Sequence, residues 1–181
     1  SLRSSVVTRW GTPEMIRPGE EFAMDLPFRF PFFDELFQRV KISVDGYLSF
    51  ADGSLPYPNT DPIPTQLPPN NFIAPYWTDL NIGSCGNAGV GGVWTLTEGA
   101  GERRRFVVEW RAVHNGLSCD SATQANVLSF EVILTPMGGI TFQYQSLPSS
   151  ADGPAETVPT IGTENEDGSA GWQYGRGWSA R

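Results

Sequence analysis

The sequence predicts an all-β fold, an antiparallel β-sandwich of about ten strands with long loops, and three observations support it. Apolar and polar residues alternate in several segments, which is the period of a strand with one buried face. Twenty Gly and fifteen Pro separate these segments, because both residue types favour turns over regular structure. The helical period nowhere continues beyond a turn or two, so we expect no long helix.

The amino-terminal part predicts two strands before the first clear hairpin. Residues 1–20 mix a short apolar patch with Gly and Pro, which predicts an initial edge strand and loop. Residues 21–30 carry an apolar side chain at every second position, which predicts a half-buried strand. An apolar turn follows, and we expect these of its residues to pack against the core: Phe32, Phe33, Leu36 and Phe37.

A hairpin is predicted over residues 38–50. Apolar residues alternate with polar ones up to Asp45-Gly46, and a second apolar run follows that pair. Asp-Gly in this position favours a two-residue type I′ turn, because that turn needs positive φ at both residues. The Pro-rich residues 51–69 come next and predict a surface loop, since Pro cannot donate a hydrogen bond to a sheet.

The rest of the chain predicts further strands and one more tight hairpin. Short apolar or alternating runs predict strands over residues 71–80, 91–97, 103–113, 127–135, 140–146, 160–163 and 169–174. Met137-Gly138-Gly139 predicts the hairpin between two of these strands.

Length and composition indicate one domain over residues 1–181, with a tail over residues 175–181. The apolar fraction of 39% is sufficient for a hydrophobic core. The formal net charge of −8 disfavours nucleic acid and anionic lipid as partners, because cationic side chains bind both. A membrane-spanning helix needs about 18 or more apolar residues in a row, and no such run occurs, so we expect no membrane insertion.

Two cysteines, Cys85 and Cys119, lie in polar loops that each follow a predicted strand. An even cysteine count in such loops predicts a disulfide and an oxidising, extracellular compartment. In the chain-entropy model this bond would stabilise the fold by about 4 kcal/mol. Two free thiols are the alternative that the sequence leaves open.

Several segments together carry a family resemblance: Phe30-Pro31-Phe32, residues 40–50 around Gly46, residues 71–80 with Ala74-Pro75 and Trp77, residues 106–110, 130–134 and 139–144, Ile161-Gly162 and Asp167-Gly168. In this order they resemble a module of nidogen-type (NIDO) extracellular domains, of plexin-domain-containing proteins, and of bacterial secreted and surface proteins. The resemblance covers residues 22–174. It implies a β-sandwich used for adhesion or as an accessory domain, and it supplies no catalytic residues.

Catalytic chemistry is not expected, because the sequence offers few suitable groups. His114 is the only histidine, and no nucleophile-elbow motif accompanies it, which disfavours Ser–His–Asp chemistry. Glu109 and Glu131 lie in neighbouring predicted strands and face outward, where cross-strand ion pairing with Arg105 or Arg111 is the expected role. A glycoside hydrolase-like enzyme that uses this acid pair is the remote alternative. We therefore predict that the protein is not an enzyme.

Oxygen-bearing side chains indicate a candidate structural calcium site in two loops: Asp79 with Asn81, and the run Glu164, Asn165, Glu166 and Asp167. Calcium takes about six to eight oxygen ligands, often from loops. Asn, Asp and Gly are also preferred in tight turns, and turn formation is the favoured interpretation. No other cofactor is expected.

Aromatic residues outside the predicted strands are the candidate ligand-binding groups. Trp10, Tyr57 and Trp178 could form a platform for a sugar or a contact with a protein. Other tryptophans are expected in the core or at its rim: Trp77, Trp94, Trp110 and Trp172.

These observations predict a non-catalytic extracellular module, secreted or at the cell surface, that serves adhesion or recognition within a larger protein. The expected partner is a protein or glycan at the cell surface, or an adjacent domain of the same chain. A carbohydrate-binding module that uses exposed Trp and Tyr is the alternative. Binding is expected in loops at one end of the sandwich: residues 52–69, 81–91, 115–125 and 149–159.

Overall fold

The computed structural model describes residues 21–51, 62–68, 70–82, 91–115, 127–147 and 158–176. Their strands are β1 (Glu21–Phe32), β2 (Glu35–Ser43), β3 (Tyr47–Ser49), β4 (Phe72–Trp77), β5 (Leu80–Asn81), β6 (Gly92–Glu98), β7 (Arg105–Asn115), β8 (Val127–Leu134), β9 (Ile140–Ser146), β10 (Thr160–Glu164) and β11 (Gly171–Arg176). Within these ranges the only helical element is a 3-10 turn, Gly101–Arg103, before β7. The predicted all-β fold is confirmed.

The strands form two antiparallel sheets with an apolar core between them. The first sheet has the order β1-β2-β3-β4-β10-β11. In the second sheet β7 pairs with β5, β6 and β8, and β9 pairs with β8. This arrangement confirms the predicted antiparallel β-sandwich, and the hairpin between β8 and β9 lies where the sequence predicted it.

The inward-facing residues of β7 lie in the core between the two sheets. Phe106, Val108 and Trp110 alternate along this strand, and each is at most 1% exposed. The indole N–H of Trp110 donates a hydrogen bond to the carbonyl oxygen of Ser43 in the first sheet, over 2.9 Å. The Trp110 ring also stacks on Phe130 of β8, with ring centroids 5.0 Å apart. Trp110 therefore joins the two sheets through its hydrogen bond, while its ring packs against a neighbouring strand of its own sheet.

The hairpin around Asp45-Gly46 is present, but its turn is longer than predicted. Ser43 of β2 pairs with Tyr47 of β3, so three residues form the loop rather than two. Gly46 has a φ of 79°, and no other residue of the loop has positive φ, whereas a type I′ turn needs two. A Cβ atom at Gly46 would overlap the carbonyl oxygen of Tyr76, so close packing against β4 also requires glycine here.

Residues 62–68 cross the outer face of the first sheet, and we call this segment the strap. Its Ile63 is 5% exposed. Ile63 belongs to a second apolar cluster with residues of β3 and β4: Tyr47, Phe72, Ala74 and Trp77. The Pro-rich loop predicted over residues 51–69 therefore contributes to packing in its described part.

Three residues that were expected to pack in the core or at its rim are exposed. Phe33 is 45% exposed, Leu36 is 62% exposed and Trp172 is 74% exposed. Phe33 and Leu36 flank the tip of the β1–β2 hairpin, where Phe32 pairs with Glu35. Trp172 lies on β11, the last strand of the first sheet. Hairpin tips and edge strands have fewer neighbours to cover an apolar side chain, which explains these exceptions.

The ends of the chain are described only in part. The predicted initial strand and loop, residues 1–20, lie outside the described residues and stay a prediction. β11 ends at Arg176, so residues 175 and 176 belong to a strand rather than to the predicted tail.

Candidate functional site

Five of the predicted site residues lie outside the described residues. They are the predicted disulfide pair, Cys85 and Cys119, and the aromatic candidates Trp10, Tyr57 and Trp178. The disulfide and the aromatic platform therefore stay predictions.

The two loops of the candidate calcium site lie at opposite ends of β4. Glu164, which opens the acidic run, lies opposite Phe72, the first residue of β4. Asp79 and Asn81 follow Trp77, its last residue. A strand of six residues is roughly 17 Å long, so the two loops cannot bind one ion together.

The polar side chains of the turn after β10 form hydrogen bonds with one another and with the backbone of the same turn. Asn165 Nδ2 donates to Oδ1 of Asp167 over 2.8 Å, and Ser169 donates to the same oxygen from its hydroxyl at 2.5 Å and its N–H at 3.0 Å. The hydrogen bonds from Ser169, with that from Asn165, lower the pKa of Asp167. Asn165 Oδ1 accepts the backbone N–H of Ala170 over 2.9 Å. These bonds are the turn chemistry that the residue types favoured.

The acidic side chains in the described residues do not form a metal-binding group. No set of three or more His, Cys, Asp and Glu side chains within the described ranges is arranged to hold a metal ion. Glu166 meets Glu35 at the start of β2, and the hydrogen bond between the two carboxyl groups raises the pKa of Glu35. Calcium binding stays a prediction.

Glu164 differs from the rest of this turn because it is buried under the strap. Its exposed fraction is 0%. Its Oε2 accepts a hydrogen bond from the backbone N–H of Thr65 in the strap over 2.6 Å, whereas its Oε1 has no hydrogen-bond partner among the described residues. Burial raises the pKa of Glu164 to about 7, although the Thr65 N–H acts in the opposite direction. The sequence grouped Glu164 with exposed turn residues. No local signal separates it, because the residue that covers it lies 99 positions away in the sequence.

Two acids lie directly opposite each other on the outer face of the second sheet. Glu109 of β7 pairs in register with Glu131 of β8, and both face outward as alternation predicted. Arg111 holds Glu109 through two hydrogen bonds, of 2.6 and 3.2 Å, but the two residues lie on the same strand, whereas the sequence predicted a cross-strand ion pair. The Arg111 guanidinium also lies 4.9 Å from the centre of the Trp94 ring. Burial and the charge of Glu109 raise the pKa of Glu131.

Trp172 and Tyr174 form an exposed aromatic pair on β11. Their exposed fractions are 74% and 66%. Among the strands that the structure describes, β11 pairs with β10 alone and is the last strand of the first sheet. Tyr174 lies near Tyr144 of β9, whose hydroxyl donates to the carbonyl oxygen of Pro75 over 2.7 Å. Sequence reasoning missed this pair, because alternation does not show which strand will be an edge.

Comparison with known families gives a match over most of the chain. The family model described as NIDO related matches residues 17–176, which confirms the resemblance seen in the sequence. Comparisons with curated proteins and with solved structures found no match. Among the residues that the structure describes, no helix has the length and apolar character needed to cross a membrane.

Proposed function

The chain belongs to the NIDO-related family, and we propose that it is a non-catalytic recognition module of a larger extracellular protein. Domains of this family are usually extracellular, which supports a secreted or cell-surface location. The partner in this proposal is an extended segment of another protein, or of an adjacent domain, that binds along β11.

The observation that carries this proposal is an exposed aromatic pair on an edge strand. An open edge offers backbone N–H and C=O groups, so an extended segment of a partner can add to the sheet as one more strand. Trp172 and Tyr174 would pack against the side chains of that added strand. Tryptophan and tyrosine contribute strongly to protein interfaces, because they bury a large area at a small cost in conformational entropy.

A carbohydrate ligand is the second candidate, since the same two rings could stack on sugar faces. A sugar site also needs polar groups beside the aromatic rings. Gln173 lies between the two aromatic residues in sequence, but its side chain points to the opposite face of β11 from Trp172, where its Oε1 accepts the backbone N–H of Ile63 over 3.0 Å. On the second sheet, Trp94 is already in contact with Arg111. These contacts favour a protein partner over a sugar.

Changing both Trp172 and Tyr174 to alanine is expected to weaken binding of the protein ligand at least about tenfold, since aromatic residues are frequent hot spots of interfaces. Stability should change little, because both side chains are exposed. Wild type and variant would be screened on one array of extracellular proteins and glycans, and the Kd of each hit would be measured by surface plasmon resonance.

The matched control changes Gln143 and Gln145 to alanine, two exposed residues on β9, and should bind like wild type. A protein hit that both variants bind equally would contradict the β11 site. Hits confined to glycans and lost in the aromatic variant would establish the second candidate instead. An array without any protein hit would contradict the proposed partner.

The proposal includes neither a catalytic step nor a cofactor. Its support is that Arg111 engages both oxygens of Glu109, which leaves that carboxylate poorly placed to act as an acid or base. Hydrolysis of chromogenic glycosides by the wild type, abolished by Glu109→Gln, would overturn the proposal that the module is non-catalytic.

A rise in melting temperature on adding calcium, reversed by EDTA, would show that the module binds a metal ion.

A further inference from the structure

Two backbone N–H groups of the strap donate hydrogen bonds to side chains of the first sheet. The N–H of Ile63 donates to Oε1 of Gln173 in β11 over 3.0 Å, and the N–H of Thr65 donates to Oε2 of Glu164 in β10 over 2.6 Å. The acceptors are side chains rather than sheet backbone. The attachment of the strap therefore depends on the chemical state of these two side chains.

Glu164 is the acceptor that can change its charge. Among the described residues, its neighbours are Phe72 of β4, Gly171 of β11 and the strap backbone, none of which titrates. Glu166 and Asp167, in the adjoining turn, are exposed, and burial rather than their charge raises the pKa of Glu164. Within the described ranges no cationic side chain offsets a negative charge at this position. An ionised Glu164 is therefore poorly stabilised while the strap is closed.

In the part of the chain that the structure describes, three buried polar atoms on the face that carries the strap have no hydrogen-bond partner: Oε1 of Glu164, Nε1 of Trp77 and Oγ1 of Thr160. These three residues are at most 3% exposed. A buried polar group without a partner costs free energy that contact with water would recover. For a carboxyl group this cost rises sharply on ionisation, because a carboxylate is far harder to bury than a neutral acid.

We propose that the strap is a pH-dependent latch controlled by Glu164. While Glu164 is neutral, the strap stays closed. When Glu164 ionises, its Oε1 requires water, and the strap lifts to admit it. Lifting also exposes the aromatic residues that the strap covers: Tyr47, Phe72 and Trp77. This second apolar surface goes beyond the recognition function proposed above, since it is separate from the aromatic pair on β11.

The direction of the pH effect follows from the pKa of Glu164 in the two states. In the closed state this pKa is about 7, against an ordinary value of 4.5. The closed state therefore binds the proton more tightly, and closing is most favourable below the ordinary value. The free energy of closing becomes less favourable as the pH rises from the ordinary pKa to the closed-state pKa, and it stays constant above the closed-state pKa. The equilibrium constant for opening should rise by roughly tens of fold from pH 5 to pH 8.

Amide hydrogen exchange of Thr65, followed by NMR and corrected for intrinsic rates, tests the latch. In the wild type its protection factor should fall by roughly tens of fold from pH 5 to pH 8. The protection factor of Thr65 should also stay below that of Val108 in β7, because the strap opens without global unfolding.

Glu164→Gln keeps an acceptor for the Thr65 N–H but cannot ionise, so the protection factor of Thr65 in this variant should not depend on pH. Glu131→Gln is the matched control. It removes an acid with a raised pKa from the other sheet, and it should behave like the wild type.

Protection of Thr65 that is independent of pH in the wild type would overturn the latch, as would an equal pH dependence in Glu164→Gln. Equal protection factors for Thr65 and Val108 would also overturn it, since the strap would then open only when the whole domain unfolds. If Glu164→Gln fails to fold, the protection factors of Thr65 and Val108 in the wild type and in Glu131→Gln still test whether the strap opens by itself.

Discussion

Replacing Trp110 by alanine is expected to lower the free energy of unfolding by about 4 kcal/mol. Trp110 is 0% exposed and lies between the two sheets, stacked on Phe130. Substituting a buried aromatic residue by alanine removes apolar contacts and leaves a cavity that the surroundings fill only partly. The change also deprives the carbonyl oxygen of Ser43 of its indole donor, which adds to the loss.

Urea unfolding followed by circular dichroism measures this effect, and two variants divide it into its parts. Trp110→Phe keeps a ring against Phe130 but removes the indole N–H, so we expect a loss of about 1–2 kcal/mol. Trp172→Ala removes the same residue type from an exposed position and should cost less than about 0.5 kcal/mol. A loss below about 2 kcal/mol for Trp110→Ala would contradict its role as the link between the sheets.

Much of the fold could be predicted because each strand divides its side chains between two faces. Alternation in the segment that forms β7 predicted that Phe106, Val108 and Trp110 face the core and that Glu109 faces outward, as the structure confirms. The same rule predicted an outward-facing Glu131. Alternation within one strand does not predict which residues of two paired strands lie opposite each other, so the direct pairing of Glu109 with Glu131 could not be predicted.

The sequence could not show which face of a strand would be covered. Trp172 alternates as a core residue would, but it lies on an edge strand and is exposed. Glu164 is the opposite case, since it begins a polar turn and is nevertheless buried by the strap. Its partner Thr65 is 99 positions away in the sequence, and a local pattern carries no information on such a contact. The candidate site was therefore predictable in its turn chemistry but not in its buried acid or its exposed aromatic pair.

Replacing Gly168 by alanine is expected to lower the free energy of unfolding by about 3 kcal/mol and to release the strap at every pH. Gly168 has a φ of 65°, a conformation that costs other residues roughly 1–2 kcal/mol. A Cβ atom there would also overlap the carbonyl oxygen of Thr65, so the turn and the strap cannot both keep their positions. A lifted strap gives up the burial of Ile63, which contributes about 1.5–3 kcal/mol.

Gly101→Ala separates the two causes of this loss. Gly101 has a similar φ of 56°, but a Cβ atom there would meet no neighbouring atom within 4 Å, so only the backbone cost of about 1–2 kcal/mol is expected. The difference between the two variants in urea unfolding isolates the contact between turn and strap. In hydrogen exchange, Thr65 of Gly168→Ala should be poorly protected at pH 5 as well as at pH 8, because a strap that cannot close no longer responds to the charge of Glu164. Equal losses of stability in the two variants would show that the turn does not hold the strap, and the latch would then lose its structural basis.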